Sequence, residues 1–248
     1  MSEFSDARVL ITGAGSGIGA AAAAALAAAG AQQLILVDRD GERLREVAAG
    51  LPCRSRLILG DVADEDLWQH ADLGRLTHAV LNAGVAAAAP IRSLELAEWR
   101  HVMQVNLDGA FLSLKAVLAS MDDGAVALTA SAAGLKAEPG IAAYAASKAA
   151  VIQLARVAAK ECAPRIRVNV IAPGGTETRI WSDQPFFTGL VHEHGSQEAA
   201  YRSLAAQGTP MGRFAKPEEV AAAILFLLSD KAAFITGACL VMDGGYSL

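Results

Sequence analysis

Short runs in which consecutive residues are all apolar recur along the chain. They are Val9-Leu10-Ile11 ending at Thr12, Leu34-Ile35-Leu36 ending at Val37, Leu57-Ile58 ending at Leu59, and Ala79-Val80-Leu81. Three more follow, at Ala125 to Thr129, Val168 to Ile171 and Ala238 to Met242. A strand with one wet face alternates; strands apolar on both faces belong to a parallel sheet covered by helices on each side. Segments of helical composition lie between them: Ile18 to Ala29, Gly41 to Ala49, Leu94 to Met121, Tyr144 to Glu161 and Pro217 to Leu228. The last opens on Pro217, which suits a first turn, followed by Glu218 and Glu219, which suit the positive end of a helix dipole. The nearly pure alanine of Ala20 to Ala29 reads as a helix lying close on a sheet, because alanine forms helix best and takes little room. Seven strands interleaved with helices and no long linker predict an α/β fold, one doubly wound Rossmann-like domain over residues 1–248.

One stretch breaks the alternation. From Thr176 to Arg213 there is no strand pattern, but Trp181, Phe186, Phe187 and Tyr201 stand among glycines and prolines. A segment of that length without clear secondary structure is expected to be a substrate-binding lid, over about residues 176–213.

Composition then removes several function classes. With 53% hydrophobic residues in 248, the chain can bury a sizeable core, and a net charge of -5 offers no basic surplus for nucleic acid. Three scattered cysteines, Cys53, Cys162 and Cys239, fit neither a disulfide framework nor a zinc cluster, which points to a reducing, cytoplasmic setting. No basic, then apolar, leader pattern marks the first residues, and Ala20 to Ala29 is too short to span a bilayer, so no membrane role is expected. His192-Glu193-His194 suggests metal ligands at first sight. Two histidines two apart on a glycine-flanked loop lack companions, so no metal is expected.

The chemistry begins where the first strand meets the first helix. Gly13, Gly15, Ser16, Gly17, Ile18 and Gly19 form a glycine-rich turn there, in which the backbone can approach a pyrophosphate at a helix N-terminus. Asp38 ends the second strand, nineteen residues past Gly19, where a carboxylate accepts hydrogen bonds from an adenosine ribose diol. The same carboxylate would repel the 2′-phosphate of NADP by about 4 kcal/mol per unit charge at about 4 Å and an effective dielectric of about 20. NAD is therefore the expected cofactor, with Arg39 placed to soften the preference. Asp61 and Val62, at the end of the third strand, are candidates for the adenine side.

Tyr144 and Lys148 stand four residues apart, on one face of a helix, and Ser131 follows the fifth strand at the sheet edge where α/β ligands bind. Free tyrosine titrates near ~10; bringing it to ~7 requires about 4 kcal/mol of preference for phenolate, which Lys148 and a cationic nicotinamide are expected to supply together.

On these residues the chain resembles the short-chain dehydrogenase/reductase family along nearly its whole length, from Thr12-Gly13 to Asp243-Gly244-Gly245. The resemblance implies a catalytic centre of Asn106, Ser131, Tyr144 and Lys148, with Asn106 anchoring a water that links Lys148 to solvent. The family's Asn-Asn-Ala-Gly motif stands here as Leu81-Asn82-Ala83-Gly84; its first asparagine is lost, while Asn82 can still brace the central strand. Pro173, Gly174, Thr176 and Thr178 match the family's Pro-Gly turn, which implies that they hold the nicotinamide carboxamide. The segment between Asp61 and Asn82 looks shorter than is usual in the family, which implies a clipped third helix or connection. A homotetramer is implied as well.

The expected activity is hydride transfer between NAD and a secondary alcohol or ketone. The small or apolar neighbours of the catalytic residues suggest an apolar or ring-bearing substrate, with Ser131, Ala133, Tyr144, Gly175, Trp181, Phe186 and Phe187 as its contacts; packing within the lid or against another subunit is the alternative role of Trp181, Phe186, Phe187 and Tyr201. A hydroxy-acid or sugar-acid dehydrogenase is the alternative if one of Lys136, Arg92, Arg179 or Arg202 turns inward. A 3-oxoacyl reductase fits the pattern but is disfavoured by Asp38, and a cofactor-binding sensor or structural subunit is the non-enzymatic alternative.

Overall fold

The computed structural model describes residues 3–182 and 184–248. Seven strands form its sheet: β1 Arg8–Thr12, β2 Gln33–Asp38, β3 Arg54–Leu59, β4 Leu76–Leu81, β5 Met121–Thr129, β6 Ile166–Pro173 and β7 Cys239–Met242. All neighbours are parallel, in the order β3-β2-β1-β4-β5-β6-β7. The doubly wound α/β fold expected from the apolar runs is the fold observed.

The two faces are filled by alternate residues of the same strands. Val9, Ile11, Leu34, Leu36 and Ala127 pack with α1 (Gly17–Ala28) and the helix Pro217–Leu228, here α10. Leu10, Ile35, Val126, Leu128 and Val168 pack on the opposite face with α3 (Glu65–His70), α5 (Gly109–Ala119) and α6 (Ala142–Cys162). Helix α2 (Gly41–Ala49) begins at an Asp40 cap, whose carboxylate accepts from Arg43 N at 3.2 Å. The third helix is indeed short, six residues, and pins Trp68 under the sheet through an indole hydrogen bond to Val62 O at 2.8 Å.

Several elements differ from the sequence reading. The helix expected from Leu94 to Met121 is α4 (Leu96–Met103), a π turn (Gln104–Asp108) and α5, and Met121 already belongs to β5. Asp122-Asp123-Gly124 hid the start of that strand, because its first residues meet solvent while Met121 pairs with Leu76. Leu96–Ala119 is long and apolar enough to cross a membrane by length and composition, but here it packs on β4, β5 and α6 as a layer of the domain. Strand β3 begins at Arg54 rather than at Leu57, since an edge strand exposes Arg54, Ser55 and Arg56 and shows no apolar run. The region 176–213, expected to lack regular structure, folds into α7 (Arg179–Ser182), α8 (Pro185–His194) and α9 (Gln197–Ala206). Its aromatics supply a private core, with Phe187, Tyr201 and Phe214 buried together. His192 and His194 accordingly lie in the last turn of α8 and not on a loop.

At the amino end of β4, His78 packs edge-on against Phe4 and faces Arg167. Burial, then the Arg167 guanidinium, lowers its pKa to about 4. A histidine whose folded pKa lies below its unfolded value binds its proton better in the unfolded chain. Its contribution to stability is therefore complete above pH ~6.5 and lost as the pH falls towards 4. Between pH 7.5 and 5 the wild type should lose roughly 2 kcal/mol that His78→Gln does not lose. Urea unfolding at the two pH values measures this, and equal losses in both proteins would contradict it.

Candidate active site

Strands β1 and β4 are neighbours, but the chain leaves β1 towards β2 and leaves β4 towards β5. Loops departing in opposite directions open a crevice at the carboxyl ends, where ligands of such sheets bind. The glycine turn, Asp38, Ser131 and the Pro173–Gly174 turn all lie at those carboxyl ends.

The glycine turn is built for close backbone approach. A Cβ at Gly19 would stand 2.0 Å from Gly13 O, and Gly13 itself has φ +65° and sits against Ala83 and Asn82. Ser16 caps α1 without a side-chain bond, and the first turn holds no acid, so the leading N–H groups are left to an incoming anion. Ile18 packs against the α1 side of the core. Asp38 reaches back over the turn: Gly15 N donates to its Oδ2 at 2.8 Å and Asp40 N to its Oδ1 at 3.0 Å. Arg39 points to solvent. Asp61 accepts from Ala63 N at 2.9 Å and is exposed, whereas Val62 is buried against Gly109. Thr12 Oγ1 accepts from Asn82 N and Ala83 N, which ties the end of β1 to the residues after β4, and Asn82 Nδ2 reaches Gly13 O at 3.4 Å. These cradles, which a side chain would fill, fit a dinucleotide.

Opposite the turn, Pro173 ends β6 and Gly174 N donates to Met242 O at 3.0 Å. Thr176 is buried, and the Thr178 methyl lies against Gly17, so this loop spans the crevice back to the glycine turn. Gly175 is pressed on Phe214; a Cβ there would meet the ring at 2.3 Å.

Ser131 follows β5 and opens a 3-10 turn, accepting from Ala133 N at 3.2 Å and donating weakly to Pro173 O at 3.4 Å. Tyr144, in the first turn of α6, faces Ser131, whose hydroxyl favours the phenolate. Lys148 is buried one turn on, and donates to Thr129 O at 3.0 Å. Gly84 makes room for it: a Cβ at that position would stand 3.1 Å from Lys148 Nζ and 3.2 Å from Asn106 Oδ1. Asn106 lies in the π turn, its Oδ1 accepting from Val85 N at 2.8 Å and its Nδ2 donating to Val85 O and Ser147 Oγ at 2.9 and 3.0 Å. Ser147 Oγ in turn donates to Tyr144 O at 2.7 Å. Asn106, Ser131, Tyr144 and Lys148 thus share one connected assembly.

Burial dominates the electrostatics of this pair. Burial pushes the Tyr144 phenol up, against the opposing pull of Ser131, and burial lowers Lys148 to about 8. In the free protein the tyrosine is therefore protonated at neutral pH. The lysine spends its charge against desolvation, with its ammonium 5.8 Å from the tyrosine ring centre.

The lid aromatics divide. Phe187 is 1% exposed and stacks on Tyr201 inside the lid, so the expectation that it touches substrate is corrected: a ring at that spacing inside α8 faces the lid core. Trp181 lies partly buried against Phe214, and Phe186 is half exposed. Sequence reasoning missed Val85, Ser147 and Tyr246. The first acts through its backbone and the second is an unmarked residue between Tyr144 and Lys148. Tyr246 takes up Lys136, whose Nζ lies 4.0 Å over its ring and 2.8 Å from its carbonyl, with Glu138 at 3.3 Å.

A family model described as enoyl-(acyl carrier protein) reductase matches residues 13–247. The 2-(S)-hydroxypropyl-CoM dehydrogenase 3 of Xanthobacter autotrophicus is 37% identical over 252 residues, spanning 96% of this chain and 95% of its own. The inactive 2-(S)-hydroxypropyl-CoM dehydrogenase 2 of the same organism is 39% identical over 223 residues, spanning 86% and 94%. Among solved structures, levodione reductase superposes with a TM-score of 0.87 at 34% identity, with 98% of each chain covered. With the glycine turn, the Tyr144–Lys148 pair and the parallel sheet in place, the chain belongs to the short-chain dehydrogenase/reductase family.

Proposed function

We propose that this protein is an NAD-dependent oxidoreductase that interconverts a secondary alcohol and a ketone. The observation that carries the reading is the Ser131–Tyr144 contact at the crevice with Lys148 buried one helical turn behind it. Gly13, Gly15, Ser16, Gly17, Ile18 and Gly19 would hold the pyrophosphate, Asp38 the adenosine ribose, Asp61 and Val62 the adenine side. Asn82, Ala83, Gly84, Pro173, Gly174, Thr176 and Thr178 would line the nicotinamide half. A nicotinamide dinucleotide bound there supplies the hydride acceptor or donor.

In the oxidising direction the Tyr144 oxygen takes the alcohol proton while Ser131 donates to the same substrate oxygen and steadies its charge. Lys148 would favour the phenolate and hold the ribose hydroxyls of the bound cofactor. Asn106 braces the site rather than relaying protons with its amide, because both ends of that amide are already committed. A water link from Lys148 to solvent would fall to a backbone carbonyl of the π turn, where Gly109 N bonds Gln104 O instead of keeping the α-helical register.

The substrate reading is an uncharged, apolar or ring-bearing alcohol. Lys136 is taken up by Glu138 and Tyr246, and Arg202 by Glu198, which weakens the hydroxy-acid and sugar-acid alternative. Ser131, Ala133, Tyr144, Gly175, Trp181 and Phe186 remain the proposed contacts, within one domain whose lid spans about 176–213. Exposed Leu96, Phe111 and Val157 on α4, α5 and α6 support the proposed homotetramer, and the setting proposed is cytoplasmic. The inactive relative keeps the non-catalytic alternative in view; the presence of Asn106, Ser131, Tyr144 and Lys148 together speaks for an enzyme. A panel of aliphatic, cyclic, aromatic and hydroxy-acid alcohols assayed with NAD and NADP tests the reading. Reduction of NAD by neutral cyclic or aliphatic secondary alcohols is expected, and no reduction by any alcohol despite NAD binding would contradict it.

A further inference from the structure

The side-chain oxygen of Thr129 is buried and has no hydrogen-bond partner among the described residues, although the residue is only 7% exposed. An unpaired buried hydroxyl destabilises a fold, so its position asks for a ligand or a reason. Thr129 is the last residue of β5, two before Ser131, and its carbonyl already holds Lys148 Nζ at 3.0 Å. Its side chain lies on the other face of the sheet. Leu128 packs on the α5–α6 side and Ala127 on the α1–α10 side, and alternation places Thr129 with Ala127. Its register partner on β6, Ile171, also packs on the α1–α10 side.

On the neighbouring strand Leu81 pairs with Leu128, so the next step sets Asn82 beside Thr129 in the same row. Asn82 in turn touches the glycine turn through Gly13 O. The hydroxyl therefore sits at the carboxyl end of the central strands, on the α1–α10 face that the glycine turn leads into, in the row between Asn82 and Ile171.

We propose that Thr129 is a cofactor-contact residue, its hydroxyl hydrogen-bonding the nicotinamide half of the dinucleotide. This goes beyond the residues assigned above and rests on the NAD reading. One residue then serves two parts of the site, its carbonyl fixing Lys148 on one face and its hydroxyl fixing the reactive end of the cofactor on the other.

Thr129→Val keeps the shape and removes only the hydroxyl. Titration of the free protein with NADH and separately with ADP, which lacks the nicotinamide half, reads the effect without any substrate. The expected result is an NADH Kd raised about five- to tenfold, the ADP Kd unchanged, and a Tm of the free protein no lower than wild type. Thr129→Ser should restore NADH affinity. An NADH Kd unchanged in Thr129→Val would overturn the proposal, as would equal weakening of NADH and ADP, which marks a disturbed glycine turn. A wild-type chain that binds ADP but not NADH would instead overturn the nicotinamide reading itself, together with this proposal.

Discussion

Tyr144→Phe is expected to lower kcat by about a thousandfold while leaving the NADH Kd within about twofold of wild type. The hydroxyl it removes is the group in contact with Ser131, and the ring that remains still fills the first turn of α6. In the free protein that hydroxyl is held protonated by burial, so the phenolate has to be favoured by charge that arrives with the cofactor and by Lys148. Oxidation by the wild type should accordingly rise with pH through neutrality, and the small residual rate of Tyr144→Phe should lose that dependence. Stopped-flow absorbance of NADH formation measures both. Near-normal turnover in the variant would remove the tyrosine from the chemistry.

Asp38→Ala should shift the ratio of kcat/KM for NAD over NADP by roughly two to three orders of magnitude towards NADP. The carboxylate is fixed at the end of β2 by Gly15 N and Asp40 N, so it cannot swing away from an added phosphate. At about 4 kcal/mol per unit charge, the repulsion corresponds to roughly a thousandfold. Affinity for NAD should fall too, because the ribose diol loses its acceptor and Gly15 N loses its partner. Arg39, exposed at the next position, is then free to meet the phosphate. A wild type that already prefers NADP, or a ratio unmoved by the substitution, would contradict the assignment.

The parallel sheet was legible because its central strands are apolar on both faces: Val9-Leu10-Ile11 feeds two cores at once. The glycine turn and the Tyr144–Lys148 pair were legible because backbone approach and helical spacing restrict which residues can stand there. Other features are set by tertiary contacts that leave no local mark. The start of β5 is polar because only Met121 is inside, and β3 is an edge. Phe187 was open to two roles, substrate contact or lid packing, and with Tyr201 it gives three short helices a core of their own. Asn106 was readable as a site residue, but its commitment to Val85 and Ser147 depends on the π turn, which no pattern in Val105-Asn106-Leu107 announces. Likewise Lys136 reads as a cation available to a substrate acid until the fold brings Tyr246 and Glu138 to it.

The position of NADH in a crystal of the wild-type protein decides whether Tyr144 and Ser131 face the reacting carbon. The C4 face of the nicotinamide is expected to turn towards the gap between Ser131 Oγ and Tyr144 Oη, with Lys148 Nζ at the adjoining ribose. A nicotinamide bound with C4 turned away from both hydroxyls, or bound outside the crevice between β1 and β4, would contradict it.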